Sequence, residues 1–129
     1  MQMEKNNPVE QGALVIMPNK SGRYIGELLE ISGPRGLVKV LAVLKHPEQG
    51  DLHQPYDPDV ALFHERRALS YTEKAWAMLQ ELEPYKGEVP DYAVSLKQAL
   101  QREIVMCDKL KRWAERALEQ LERLEREYK

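Results

Sequence analysis

Three histidines, His46, His53 and His64, fall within a short stretch that also carries Asp51 and Glu65. Imidazoles and carboxylates are the side chains that hold zinc or manganese, and histidine is the group most easily tuned to move protons near neutral pH. The spacing does not favour either chemistry. Six residues separate His46 from His53, and neither His-x3-His nor His-Glu-x-x-His, the helical ligand pairs, occurs. Side chains of these types also brace loops by bonding backbone groups, and they make good contacts for a partner. We therefore take His46, Gln49, Asp51, His53, His64, Glu65 and Arg66 as candidate partner-contact residues. A metal centre built on His46, His53 and His64 is the alternative. No catalytic residue and no cofactor is assigned.

Other chemistry is sparser. Gly33 and Gly36 bracket Pro34-Arg35, but the Lys-Ser/Thr that a phosphate loop needs does not follow. The single cysteine, Cys107, excludes an internal disulfide or thiolate cluster and fits a reducing compartment. It lies on an apolar helical stripe, so a buried small hydrophobe is expected there rather than a nucleophile. Nineteen basic residues face twenty-one acidic ones. That balance argues against a nucleic-acid module, which ordinarily carries a basic excess.

The elements that must position these residues divide the chain in two. Six of the seven glycines lie in the first fifty residues. Ala13–Met17, a stretch around Tyr24–Ile31, and Leu37–Lys45 read as strands, separated by turns at Asn19–Gly22 and Ser32–Gly36. Val60–His64 and Arg67–Tyr71 are expected to add two short strands. The set predicts a strongly bent SH3-like small β-barrel over residues 1–71. The loop from His46 to Asp59, stiffened by three prolines, interrupts it, and loops of that length often carry function.

Residues 72–129 read as helical. Thr72 is an expected N-cap for a helix over Glu73–Leu82, and Pro84–Pro90 separates it from a stretch free of Gly and Pro. In that stretch Ala93, Leu96, Leu100, Cys107, Leu110, Ala114, Ala117, Leu121, Leu124 and Tyr128 share one heptad series, with a fault at Glu103. A straight helix there would be ~57 Å long and would overrun a globule of this size. A break near Glu103–Asp108 with return packing, a helical hairpin or bundle, is expected. Homodimerisation through the helix end is the alternative. The fold class is α+β.

Met1 to Gln11 is polar, without an apolar run. Neither a signal peptide nor a lipid-anchored cysteine is expected, and a cytoplasmic location follows.

Four segments carry a resemblance: Ser21–Glu27, Val40–His53 (with Lys45-His46-Pro47-Glu48-Gln49-Gly50-Asp51-Leu52-His53), Phe63–Leu69 and Gly87–Tyr92. Over roughly residues 12–100 the chain resembles the kinase-associated protein B family, also called kinase-associated lipoprotein B, of spore-forming bacteria. The resemblance implies an SH3-like barrel followed by helix. It also implies a non-enzymatic accessory role beside a sensor histidine kinase that feeds the sporulation phosphorelay, by supporting its activation or expression. A kinase in the membrane would then be met from the cytoplasmic side. The departure is the missing lipobox.

Overall fold

The computed structural model describes residues 9–128. Most of the polar stretch at 1–11 therefore lies outside the described residues. The elements are β1 (Leu14–Asn19), β2 (Gly22–Ser32), β3 (Arg35–Lys45), β4 (Lys74–Met78), a 3-10 turn (Leu79–Glu81), β5 (Glu83–Pro84) and α1 (Tyr92–Glu127). The strands form one antiparallel sheet in the order β4-β3-β2-β1-β5. The α+β class is as expected: a small barrel-like sheet, open rather than closed by hydrogen bonds, precedes the helix.

The first three strands follow from alternation and turn chemistry. Lys20 and Ser21 both take positive φ, the geometry of a type I′ hairpin turn, between β1 and β2. Gly33 takes φ 60° before Pro34, as the first position of a type II′ turn requires, between β2 and β3. The β2–β3 ladder shifts register at three places. Such bulges bend and twist strands, which is why both Tyr24 and Ile25 are buried although adjacent. Gly26 sits where a Cβ would lie 2.6 Å from the Lys39 carbonyl oxygen, so no side chain fits. Val15, Met17, Tyr24, Leu28, Val38, Val40 and Val43 form the core with Ala77, Leu82 and Ala99.

The later elements correct the sequence reading. Val60–His64 and Arg67–Tyr71 are not strands; they belong to the long loop. The missing strands come from 74–84, where a helix was expected. Thr72 has φ 69°, outside the extended region an N-cap occupies. Over Lys74–Met78 the inward residues Ala75 and Ala77 alternate with outward Lys74, Trp76 and Met78, a period of two that so short a window hides. The demand is tertiary: β3 offers an open edge, and β4 pairs with it from Arg35–Met78 to Lys39–Lys74.

β4 leaves the rest of β3 uncovered, and α1 lies there. The buried Ser95 Oγ accepts the Val43 N–H at 3.0 Å and donates to the Tyr92 carbonyl at 2.8 Å. One turn on, Ala99 is buried and small enough to let the helix lie close. Next, Arg102 donates to the Leu44 carbonyl at 2.9 Å, and Glu103 meets Lys45 at 3.5 Å. Asp91 caps the helix, accepting from the Val94 N–H at 3.1 Å.

α1 does not break: it runs as one helix of 36 residues, not a hairpin. The Glu103 fault is where it leaves the sheet. Beyond that point every residue from 104 to 127 is exposed except Ala117 and Leu124, which are half-buried. Cys107 is exposed, not buried as its stripe position implied, because the stripe there faces an open groove and not the sheet. On its flank the i,i+4 ion pair Asp108–Arg112 is closed at 2.8 Å, and Arg112 holds the Asp108 carboxyl below its ordinary range.

Ser95→Ala leaves the Val43 N–H without its partner. The expected cost is about 2 kcal/mol, read as a drop of about 5–10 °C in the thermal midpoint. An unchanged midpoint would show that the helix is not docked through this bond.

Candidate functional site

The loop leaving β3 is stapled back on itself. The Gly50 N–H donates to the His64 carbonyl at 2.8 Å. Gln49 completes a miniature ladder: its Oε1 accepts the Arg66 N–H at 2.7 Å, and its Nε2 donates to the Arg66 carbonyl at 2.9 Å and the Pro47 carbonyl at 3.1 Å. The Arg66 guanidinium forks onto the Glu48 and Gly50 carbonyls. Gly50 takes φ 92°, and the Phe63 ring lies where its Cβ would be, 2.8 Å from the nearest ring atom. Glycine alone suits both conditions.

Three further ties fix the loop to the scaffold. The Glu48 N–H donates to Ser21 Oγ at 2.8 Å, beside the first hairpin turn. Lys45 stands 3.5 Å from both Glu48 and Glu103, joining loop, sheet and helix. At the loop's exit Leu69 is held by two tyrosines: its N–H donates to the Tyr24 hydroxyl at 3.1 Å, and its carbonyl accepts from the Tyr92 hydroxyl at 2.5 Å. Burial pushes the Tyr24 hydroxyl above its ordinary pKa of 10.0, against the pull of the Leu69 N–H. Tyr92 is raised by burial as well, helped by the Glu73 carboxylate.

Between this loop and α1 lies a groove of about 830 Å³. Its apolar side is Leu96, Leu100, Ile104, Cys107 and Leu110 from the helix, facing Phe63 and Ala68 from the loop. Its polar lining includes Glu48, Asp51, Asp57, Glu65 and Glu103 against Arg66 and Arg67. An apolar floor with a charged rim suits a peptide or helix rather than a small polar substrate.

Five of the seven candidate residues line the groove: His46, Gln49, Asp51, Glu65 and Arg66. His53 and His64 do not; both are exposed. His46 Nδ1 lies 2.9 Å from the Pro47 carbonyl oxygen, and that oxygen can only accept, so this nitrogen carries the proton. Asp51 Oδ1 accepts the His53 N–H at 2.8 Å, an Asx turn that shapes the backbone. Among the described residues no three His, Cys, Asp or Glu side chains gather as metal ligands. The alternative centre on His46, His53 and His64 thus has no geometry beneath it. The helix wall of the groove went unread as a site, because Leu96 to Leu110 look like core in sequence. Their signal was the heptad series running past the sheet.

A family model described as Kinase associated protein B matches residues 19–129. The chain belongs to that family. Kinase-associated lipoprotein B of Bacillus subtilis (strain 168) is 46% identical over 120 residues, covering 92% of this chain and 94% of that protein. A crystal structure of kinase-associated protein B from Bacillus cereus is 38% identical and superposes with a TM-score of 0.66, covering 93% of this chain and 97% of that one. The family name describes association with a kinase.

Two outcomes test the loop's construction. Arg66→Ala removes the fork from two carbonyls and is expected to speed proteolytic nicking between residues 50 and 65. Arg66→Lys does not restore protection, since an ammonium cannot span both oxygens. The raised Tyr24 pKa makes the neutral hydroxyl the folded form. Its stabilising contribution is complete below pH 10 and is lost as pH climbs towards the folded pKa. Midpoints measured across that window fall more steeply for the native chain than for Tyr24→Phe.

Proposed function

We propose that this protein is a non-enzymatic accessory of a sensor histidine kinase, acting from the cytoplasmic side by direct binding. In a spore-forming host that kinase would be one feeding the sporulation phosphorelay. The observation that carries the reading is the loop: rigidly stapled within, it leaves apolar side chains exposed. Tyr56 is 79% exposed, Leu62 63% and Phe63 59%, flanked by His53, His64 and Glu65. Hydrophobic anchors on a rigid, polar-rimmed surface are how binding sites are built. His46, Gln49, Asp51 and Arg66 then act as braces, while His53, His64 and Glu65 are available for contact.

Kinship supports the same reading, since relatives are named for association with a kinase. No described helix is long and apolar enough to cross a membrane. An accessory of this kind alters its kinase only by preferring one conformational state over another, in proportion to the difference in affinity. A nucleic-acid role gains nothing from a formal charge of −2.

The test is in-cell cross-linking with the tagged protein as bait, read by mass spectrometry. A sensor histidine kinase is expected above the untagged control, and enrichment of ribosomal proteins instead would overturn the reading. His53→Ala combined with His64→Ala is expected to weaken that capture while leaving the thermal midpoint nearly unchanged. A large fall in midpoint would move both residues to the braces.

A further inference from the structure

Beyond Glu103, α1 carries an apolar face that remains largely exposed among the described residues. A folded monomer of 15.0 kDa exposes about 7,000 Å², whereas this chain exposes 9536 Å². The projecting helix is a visible source of the surplus, with Trp113 69% and Leu121 61% exposed. A helical segment of this length standing alone in water is marginal, and helices in proteins are held mainly by burying an apolar face. Leu110, Leu118, Leu121 and Tyr128 are all more than half exposed along that face, and one partner contributes about 800 Å² to a standard interface.

We propose that the occupant is a second copy of this chain, with the two α1 helices packed antiparallel about a two-fold axis between Glu115 and Arg116. The stripe is self-complementary about that point, as an isologous interface requires. Ala114 of one copy meets Ala117 of the other, Leu110 meets Leu121, and Cys107 meets Leu124. Small faces small at the centre, where the helices approach closely, and leucine faces leucine outside it. Sliding one helix along the other by one heptad, which moves the axis half a heptad towards the sheet, would set the Glu103 carboxylate against Leu121. The chosen register leaves Glu103 at the rim, beside Tyr128 and still paired with Lys45.

The groove decides the direction. Its helix wall, Leu100 to Leu110, is the sheet-proximal part of the same stripe. In the antiparallel pair the free end of the second helix, around Leu121 and Leu124, lies along that wall beneath the loop. The groove of about 830 Å³ accommodates a helix edge. Parallel pairing would bring a second loop and sheet to the same place. Leu62, His53 and His64 lie outside the groove lining and stay free in the antiparallel dimer, whereas Tyr56, Phe63 and Glu65 line the groove, so the dimer and the kinase contact share part of the loop. Sedimentation of the chain without a kinase reads the dimer alone.

The test uses the full chain. Sedimentation equilibrium is expected to give twice the 15.0 kDa monomer mass. Leu121→Asp, whose side chain touches nothing in the sheet, is expected to weaken association at least ~100-fold while the sheet's thermal transition persists. Diamide, a two-electron thiol oxidant, distinguishes the geometries. The native dimer should not become disulfide-linked, because its two Cys107 thiols lie ~25 Å apart along the axis. Leu124→Cys should link rapidly, each introduced thiol joining Cys107 of the other copy. A monomer at every concentration overturns the proposal, as does a groove filled only when some other protein binds. Efficient native Cys107–Cys107 linkage shows parallel pairing and overturns it too, and a Leu124→Cys dimer that does not link overturns the register.

Discussion

One unpaired strand edge organises this molecule. β3 runs eleven residues, but β4 pairs only its first part, up to Lys39. After the Val40 amide and carbonyl bond Glu73 and Thr72 at the loop's end, the remaining edge groups need other partners. A buried amide without one costs about 1–3 kcal/mol, so something must lie against Val43 and Leu44. Helix α1 does, and it brings the right atoms in the right order: the Ser95 hydroxyl to Val43, the Arg102 guanidinium to Leu44, the Glu103 carboxylate to Lys45. Covering an edge with a helix also removes a template for strand-on-strand aggregation. These contacts occupy little more than two turns of a ten-turn helix, and they fix the direction in which the other turns project.

The long loop is placed by the same arrangement. It leaves at the end of β3, where Lys45 already faces Glu103, and the buried Pro47 begins it. It returns at Leu69, clamped between a tyrosine of the sheet and a tyrosine of the helix. Those two hydroxyls make the loop's exit depend on α1 being docked. Within the loop, Gln49 and Arg66 supply from side chains the pairing that strands would supply from backbone. Loop and helix therefore form the two walls of a groove whose width is set by hydrogen bonds and not by packing alone.

How much of this was legible follows from what each element depends on. β1 to β3 were readable because their alternation and their positive-φ turn residues are local facts. β4 was not: Ala75, Trp76 and Leu79 fit a helical face as well as a strand, and only the open edge of β3 decides between them. The five-strand count was right while two of the strands were placed about fourteen residues early, since loop segments rich in Val, Leu and Phe imitate strands that the tyrosine clamps make unnecessary. The heptad series was read correctly as a helix, yet it does not say whether the covering surface belongs to the same chain, and Cys107 was assigned to a core that does not exist in one copy. The histidines drew attention to the right loop for an incomplete reason. The residues that hold its shape are Gln49 and Arg66, and their work is visible only when residues 49 and 66 are brought side by side.

The two halves of the chain thus stand in different relations to water. The sheet buries apolar residues from Val15 to Val43, and Ala99 of α1 closes that core. The helix satisfies its backbone but not its side chains past Glu103. A sequence that keeps Leu110, Leu118, Leu121 and Leu124 on one side of that helix, with Asp108, Arg112, Glu119 and Arg126 on the other, bears the solubility cost of an apolar face without using it in its own fold. Such a face is retained when something outside the chain covers it. The same physics separates the two surfaces. A continuous stripe of small and large aliphatic groups with self-matching spacing suits a permanent partner. A stapled loop with scattered aromatics and histidines suits one that arrives and departs, because little ordering entropy is lost at each encounter. On the proposed reading a fixed assembly and a reversible contact fall to different periods of one short sequence.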